Sequence, residues 1–372
     1  MSVPLLDLTR QPAAITEGLR AAFERVLASG HFIMGPEIEA LERECAAYLG
    51  ARHALAVSSG TDAILLALMA LGIGPGDEVI CPSYTFFATA GCVWRVGAKP
   101  VFVDSLPESY NLDPAAVEAK ITAKTKAILP VHLFGQPAEL GAILAVAAKH
   151  GIPVIEDAAQ SIGAKYQDRA TGTFGAIGCF SFFPTKNLGA LGDGGLVTTE
   201  DDALAEAMRT LRVHGSKVKY HHETVGANFR LDALQAAFLR VKLPHLEAAH
   251  AARYTERFLA SGLAAFPEKG KAAPLLLPFV CQPGHIYNQY VVRVPGKRDA
   301  LRDHLKAHGI ATEVYYPIPL HLQECFASLG HKPGDLPWSE TFARETVALP
   351  VFPELRPDEV DAVADALVAF LK

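Results

Sequence analysis

The sequence has no paired cysteine motif, no block of basic residues and no long apolar run. Its six cysteines are scattered without a CxxC pair, which favours free thiols over a disulfide framework or a zinc site. A net charge of −6 disfavours nucleic acid and anionic membrane surfaces as partners. The apolar run from Ala63 to Leu71 is far shorter than the ~20 residues that span a bilayer. The amino terminus has no secretory pattern, so we expect a cytoplasmic protein.

Several common site motifs are also missing. The chain contains no GxxxxGK phosphate loop, no HExxH and no GxSxG, and no GxGxxG follows its first predicted strand. His304 and His308 lie one helical turn apart, but no third ligand is close in sequence. We therefore expect no metal site, and a dinucleotide-binding fold lacks its best signal.

What the chain does contain is an alternation of apolar strands and helices. It is half apolar over 372 residues, enough for two domains. Strands and helices of these lengths in alternation predict βαβ units, with a mainly parallel sheet covered by helices on both faces. The predicted strands are 53–57, 78–82, 100–104, 127–132, 152–157, 178–183 and 195–199, and the helices between them include 60–71, 85–96 and 138–149.

The flanking segments have different patterns. Two amphipathic helices precede the alternating block, with apolar faces formed by Ile15, Leu19, Phe23 and Val26 and by Ile38, Leu41, Cys45 and Tyr48. A helical region follows from Leu231 to Leu259, and Pro244 should kink it. The remainder predicts strands at 286–294 and 311–316 and helices at 297–308 and 357–371. We expect a large α/β domain over 1–250 and a smaller α+β domain over 251–372.

Three segments place polar residues at the carboxyl ends of predicted strands, where open α/β sheets bind ligands. SSGTD at 58–62 begins a helix and could hold an anion, or it is an ordinary helix cap. Asp157 ends an apolar strand, where it could face a cation or only solvent. Lys186 follows an aromatic strand and precedes four glycines, a position that is either a crowded site or a surface loop.

Taken together, these segments point to one chemistry. An anion cradle, a strand-end carboxylate and a lysine of lowered pKa are what a pyridoxal 5′-phosphate enzyme needs. The lysine forms a Schiff base with the cofactor. The carboxylate keeps the pyridine nitrogen protonated, and the helix terminus holds the phosphate.

At this point the motifs identify a family. The chain resembles the DegT/DnrJ/EryC1/StrS sugar aminotransferases, which are fold-type I pyridoxal phosphate enzymes, from GPEIEALE at 35–42 to YYPIPLHLQ at 315–323. SSGTDA, PSYTFFATA, EDAAQSIGA, FSFFPTKNLGALGDGG and GANFRLDALQAA occur in the family's order and at its usual separations. The resemblance implies a large domain with a mainly parallel sheet and a smaller carboxyl-terminal α+β domain.

The resemblance also implies the cofactor site. It assigns Lys186 as the catalytic lysine that binds the cofactor and moves the proton, and Asp157 as the partner of the pyridine nitrogen. Gln160 hydrogen-bonds the ring oxygen, and Phe86 stacks on the ring. The residues implied to contact the phosphate are Gly60, Thr61, Ser181 and, from the other subunit of a homodimer, Asn228.

The implied reaction moves an amino group from L-glutamate to a nucleotide-linked keto sugar. Positions that line the sugar-nucleotide pocket correspond to Arg230, Tyr315, Tyr316 and His321. The segment 212–222 looks most like members that act on 3-keto sugars, in particular UDP-linked 2-acetamido-3-keto uronic acids. Members that act on 4-keto-6-deoxy sugars are the alternative. Lysine at 186, where relatives that remove a hydroxyl carry histidine, favours transamination over dehydration.

Two readings from other classes stay open. One is a sensor that binds the cofactor or a sugar nucleotide without turnover, against which the chain has no appended DNA-binding module. The other is a pyridoxal phosphate enzyme that acts on an amino acid, because a shared fold does not fix function. The 315–323 segment and Arg230 favour the sugar nucleotide over this second reading.

Overall fold

A seven-stranded mixed sheet forms the centre of the structure, a computed structural model that describes residues 2–253 and 275–372. The strands of the described residues are β1 (His53–Val57), β2 (Glu78–Pro82), β3 (Lys99–Val103), β4 (Thr125–Ile128), β5 (Ile155–Asp157), β6 (Lys165–Tyr166), β7 (Arg169–Ala170), β8 (Ile177–Ser181), β9 (Gly195–Thr199), β10 (Ser216–Val218), β11 (His221–His222), β12 (Tyr290–Arg293) and β13 (Thr346–Leu349).

The order across this sheet is β3-β2-β4-β5-β8-β9-β1. Strands β3, β2 and β4 pair in parallel, and so do β5 and β8. Parallel bridges at Ile128–Val154 and Val131–Asp157 join the two halves. Only β9 runs antiparallel to both of its neighbours. The prediction of a mainly parallel sheet is confirmed, and the parallel strands bring their carboxyl ends to one edge.

Helices cover both faces of the sheet. They are α1 (Ala13–Ser29), α2 (Pro36–Leu49), α3 (Gly60–Ala70), α4 (Ala88–Arg95), α5 (Pro114–Glu118), α6 (Leu140–His150), α7 (Asp202–Arg212), α8 (Ala233–Lys242), α9 (Leu246–Arg253), α10 (Arg298–Ala307), α11 (Pro337–Glu345) and α12 (Pro357–Leu371). Asp113 caps α5 through the N–H of Ala115, and Gly30, Gly50 and Gly151 end three helices in the left-handed conformation. Within the described residues, no helix is long and apolar enough to cross a membrane.

Some predicted boundaries differ from the structure. Helix α4 begins at Ala88 rather than at 85, and a 3-10 turn over Leu243–His245 separates α8 from α9 at Pro244. The predicted continuation of this region to Leu259 lies outside the described residues. Phe23 is 43% exposed, because α1 packs on α8 through the smaller side chains of Ala22 and Val26.

The prediction of a strand at 311–316 is wrong. Within this segment only an isolated bridge between Glu313 and Ala348 is present. The carbonyl of Tyr315 accepts a hydrogen bond from the buried hydroxyl of Tyr84 instead of pairing with a strand. The rings of Tyr315 and Tyr316 pack against the cluster around Tyr84 and Phe134. Aromatic packing therefore decides the path of this segment.

The carboxyl-terminal residues have a hydrophobic cluster of their own. Strands β12 and β13 pair antiparallel, and α10 and α12 pack against them. Val3 near the amino terminus joins this cluster through a parallel bridge to Ile310. The clustering accords with a smaller α+β unit. The domain boundary near residue 250 stays a prediction.

Candidate active site

A cleft of about 540 Å³ opens at the carboxyl ends of the parallel strands. Residues line it from β5, β8, the start of α3 and the segments that follow β2 and β4. The predicted site residues that line it are Gly60, Thr61, Phe86, Asp157, Gln160, Ser181, Lys186, Tyr315 and Tyr316. Segments up to about 250 residues apart in the chain thus meet where the sequence motifs indicated.

Lys186 lies in the turn that follows β8, and its side chain is half-buried. Its backbone N–H donates to the carbonyl of Phe183 at 2.8 Å, which closes the turn. Burial lowers the pKa of Lys186 to about 8, and the negative charge of Asp157 opposes this shift. A substantial fraction of the amine is therefore neutral and nucleophilic near neutral pH.

Asp157 is a buried carboxylate that faces the cleft from the end of β5. Its Oδ2 accepts a hydrogen bond from Thr89 Oγ1 at 2.8 Å, and its Oδ1 accepts one from the N–H of Ala159 at 3.2 Å. Burial raises the pKa of Asp157, against the effect of these two bonds. Within the described residues, no cationic side chain forms an ion pair with it. A protonated ring nitrogen in the cleft would supply that missing charge.

The amino terminus of α3 lies against the end of β8. Ser59 caps the helix by accepting from the N–H of Asp62 at 3.0 Å, and Gly60 and Thr61 follow in its first turn. A Cβ on Gly60 would lie 2.6 Å from the Cβ of Ser181, so only glycine permits this approach. First-turn N–H groups with a nearby hydroxyl suit an anion such as phosphate.

Gln160 gives the cleft a polar surface, and Phe86 gives it an aromatic one. The Oε1 of Gln160 accepts from the N–H of Phe134 at 2.7 Å, and its Nε2 donates to the hydroxyl of Tyr316 at 3.0 Å. These bonds fix the amide in one orientation. Phe86 is 56% exposed, and its ring centroid lies 6.1 Å from that of Tyr316. An open aromatic face beside polar groups suits a flat ring.

Three predicted residues do not line the cleft of this single chain. Asn228 is exposed, and its Oδ1 accepts weakly from the N–H of Arg230 at 3.4 Å. Arg230 pairs with Val57 in an antiparallel bridge at the carboxyl end of β1, but neither Asn228 nor Arg230 lines the cleft. Asn228 and Arg230 are thus positioned outside the cleft, and a role in a partner's site stays a prediction.

His321, the third, is buried in a polar network. Its Nδ1 lies 2.7 Å from Ser83 Oγ, and its Nε2 lies 3.4 Å from Glu340 Oε1. The N–H of His321 also donates to Ser83 Oγ. Burial lowers the pKa of this imidazole. The network ties the 315–323 segment to the end of β2, so the structure places His321 behind the cleft wall.

Sequence reasoning missed several polar residues of the site. Thr85, Thr185, Asp193 and Gln289 line the cleft, and Thr89 contacts Asp157 from behind it. The spacing of Thr85 and Thr89 by one helical turn was the one available signal. Gln289 directly precedes β12, more than a hundred residues from Lys186, and no local sequence pattern identifies it as a site residue.

Comparison with known proteins agrees with this geometry. The model of the DegT/DnrJ/EryC1/StrS aminotransferase family matches residues 13–368. A "Pleiotropic regulatory protein" of Geobacillus stearothermophilus is 50% identical over 378 aligned residues, with 100% of this chain and 99% of that one covered. A UDP-N-acetyl-3-dehydro-alpha-D-glucosamine 3-aminotransferase of Acidithiobacillus ferrooxidans is 45% identical, with 98% and 97% covered.

The solved structures agree as well. A crystal structure of DesV from S. venezuelae in complex with a ketimine intermediate superposes with a TM-score of 0.94. It is 44% identical to this chain, and the match covers 100% of this chain and 99% of that one. The family and the fold-type I architecture that the motifs predicted are thus confirmed. The chain belongs to the DegT/DnrJ/EryC1/StrS aminotransferase family.

Proposed function

We propose that this protein uses pyridoxal 5′-phosphate to transfer an amino group from L-glutamate to a nucleotide-linked 3-keto sugar. The observation that carries the proposal is that Lys186 and Asp157 line one cleft: an amine of lowered pKa and a buried carboxylate that forms no ion pair within the described residues. A solved structure of ntda from Bacillus subtilis, 32% identical, has PMP as its bound cofactor, which supports this choice.

Each residue around the cleft would have a separate role in the reaction. When bound, the cofactor stabilises negative charge on the substrate carbon that loses its proton. Asp157 would hold the ring nitrogen in its protonated form, and Phe86 would pack on the ring face. The first turn of α3 and Ser181 would hold the phosphate. Lys186 would take the proton from the amino donor and return one to the acceptor carbon.

The choice of carbon 3 rests on the 212–222 segment and on the names of relatives. One relative in Pseudomonas aeruginosa is a UDP-2-acetamido-2-deoxy-3-oxo-D-glucuronate aminotransferase, and one in Streptomyces venezuelae is a dTDP-3-amino-3,4,6-trideoxy-alpha-D-glucose transaminase. These sugars differ in nucleotide and in the group at carbon 6, but the first name places a ketone at carbon 3 and the second an amine at carbon 3. A UDP-linked 2-acetamido-3-keto uronic acid is our leading substrate, and a 4-keto-6-deoxy sugar is the alternative.

The experiment follows the cofactor's absorbance through both half-reactions. Purified protein is loaded with pyridoxal phosphate, converted with L-glutamate, and then mixed with UDP- and dTDP-linked 3-keto and 4-keto sugars. We expect glutamate to remove the visible band and a 3-keto sugar to restore it, with the aminated sugar detected by mass spectrometry. Restoration by 4-keto sugars alone would move the reaction to carbon 4, and restoration by no sugar would refute the substrate class.

A regulatory role is the second candidate, because a half-identical relative is named a pleiotropic regulatory protein. Replacing Lys186 by alanine separates the two. An enzyme loses turnover, whereas a sensor keeps its response to the ligand. The intact Lys186 and Asp157 favour the enzyme.

A further inference from the structure

Among the described residues, no carboxylate forms an ion pair with the buried guanidinium of Arg253. This residue lies on α9, only 4% of it is exposed, and burial lowers its pKa to about 10, so it stays charged at neutral pH. Within the described part of the chain, its Nη1 donates to the carbonyl of Asn288 at 3.5 Å, and its Nε has no partner. Glu354 lies near enough to act on its charge, but the two form no ion pair. A buried cation left in this state is costly unless a ligand pairs with it.

Two small cavities reach Arg253 from the active-site cleft. One has a volume of about 100 Å³ and shares Thr185, Gln289 and Tyr315 with the cleft. The other has a volume of about 80 Å³ and is lined by both Arg253 and Lys186. Arg253 therefore lines cavities that adjoin the active-site cleft.

The first cavity is lined by apolar side chains and by polar groups, which include the buried Oδ1 of Asn288 as well as several hydrogen-bond donors. Among the described residues that line it, Arg253 is the only charged one. The Oε1 of Gln289 accepts from Asn288 Nδ2 at 2.6 Å, which leaves the Gln289 amide N–H groups for a ligand. The hydroxyls of Thr185 and Tyr315 complete the polar wall. A guanidinium fork beside an amide and hydroxyls is complementary to a carboxylate.

We propose that Arg253 and Gln289 bind a carboxylate of the substrate in this side cavity. The inference rests on the proposed function. The carboxylate has two sources in that reaction: the amino donor and a uronic acid sugar. Because this cavity shares Thr185, Gln289 and Tyr315 with the cleft that Lys186 lines, a carboxylate bound there would belong to a molecule in that cleft.

The test compares Arg253→Met and Arg253→Lys with a matched control. Arg302→Met removes another guanidinium whose buried Nε has no partner and which does not line the cleft. Binding of glutarate, a dicarboxylate without an amine, is measured by calorimetry on each holoenzyme. We expect Arg253→Met to weaken it about 10- to 100-fold, Arg253→Lys to weaken it less, and the control to match the wild type.

Half-reaction kinetics then identify the source. If the donor supplies the carboxylate, Arg253→Met raises the half-saturating concentration of L-glutamate, while 4-aminobutyrate, which lacks the α-carboxylate, reacts equally with both proteins. If the sugar supplies it, the variant loses rate only with the uronic acid and not with a neutral 3-keto sugar. Either pattern supports the proposal.

Unchanged glutarate binding in Arg253→Met, or an equal loss in Arg302→Met, would overturn it. Failure of the proposed function has a different signature: wild-type protein that binds glutarate through Arg253 yet transfers no amino group to any sugar. Circular dichroism and thermal unfolding confirm that each variant is folded, and Arg253→Lys decides the question if Arg253→Met is not.

Discussion

Thr89 Oγ1 donates a 2.8 Å hydrogen bond to Oδ2 of Asp157, and both residues are buried. Thr89 lies on α4 and Asp157 at the end of β5, so the bond joins a helix to a strand 68 residues further along the chain. The hydroxyl of Thr85 lies 3.1 Å from that of Thr89 and extends the chain of polar groups to the cleft. The carboxylate that would meet the cofactor is therefore oriented from behind by a threonine.

Thr89→Val tests this orientation with a side chain of nearly equal shape. Loss of the hydrogen bond removes a contact that lowers the pKa of Asp157, so its carboxyl becomes easier to protonate. We expect pyridoxal phosphate to bind about tenfold more weakly, with the loss growing as the pH falls. Cofactor titrations across pH measure it. Thr210→Val, which removes a hydroxyl bound within α7, is the control, and equal behaviour of both variants would contradict the role.

The lowered pKa of Lys186 sets the pH dependence of cofactor attachment. Only the neutral amine attacks the aldehyde, and the pKa of Lys186 in the cofactor-free protein is about 8. The rate of attachment is therefore expected to rise about tenfold per pH unit below 8 and to level off above it. Stopped-flow absorbance after mixing with pyridoxal phosphate measures this rate. A rise that continues towards the ordinary lysine pKa near 10.4 would contradict the burial effect.

Gly60→Ala tests the close approach of α3 to β8. The new Cβ would lie 2.6 Å from Ser181 Cβ and 3.2 Å from its Cα, so the helix terminus must shift away from the phosphate position. We expect pyridoxal phosphate to bind at least about tenfold more weakly, while free pyridoxal, which has no phosphate, is affected less. Gly74→Ala is the control, because its Cβ would meet the nearest atom at 3.8 Å. Equal losses of affinity for both ligands would refute phosphate binding by the first turn of α3.

The buried pair of His132 and Glu156 predicts acid sensitivity. Ala138 N–H donates to His132 Nδ1 at 3.0 Å, so the Nε2–H donates to Glu156 at 2.9 Å. Glu156 also accepts three backbone N–H groups, at 2.7 Å each, from Gly172, Phe174 and Gly175. Burial alone would raise the pKa of Glu156, but these bonds hold it below its usual range.

A carboxyl with a depressed pKa adds stability that is present above its unfolded pKa, near 4.3, and is lost as the pH falls through its folded pKa. In Glu156→Gln, an amide N–H donor replaces one of the carboxylate oxygens that accept from the backbone N–H groups. This change should lower the free energy of unfolding by about 3 kcal/mol at neutral pH. Urea unfolding at several pH values measures both effects. Glu118→Gln, in an exposed pair with Lys149, should change little, and similar losses in both variants would contradict the prediction.

Mixed subunits test the predicted role of Asn228 in a partner's site. If the protein is a homodimer with shared sites, Lys186→Ala and Asn228→Ala are each inactive, or nearly so, as pure proteins. Random mixing after dissociation gives half heterodimers, each with one intact site, so activity should return to about a quarter of the wild-type value. Size-exclusion chromatography checks the dimer. If mixing restores no activity, Asn228 acts in the site of its own subunit or has no role in the reaction.

The residues proposed to bind the cofactor could be predicted from the sequence, because each lies in a short motif next to a predicted strand. Ser59, Gly60, Asp157 and Lys186 each lie at the carboxyl end of an apolar strand or within a few residues of it, and parallel strands bring their carboxyl ends to one edge. Short motifs in a fixed order then indicated the family, which the comparisons confirmed. Strand and helix types were predicted well for the same reason, since periodicity and caps act over a few residues.

The rest depended on contacts between distant segments. Thr89 contacts Asp157, and Arg253 and Gln289 line a cavity beside the cleft, only after helices and strands from both halves of the chain have packed. The buried hydroxyl of Tyr84 donates a hydrogen bond to the carbonyl of Tyr315, so the 311–316 segment does not form the strand that its sequence pattern predicts. The sequence by itself determined the sheet, its ligand edge and the cofactor motifs; tertiary packing decided which polar groups support them, because burial and pairing are properties of neighbours far apart in the chain.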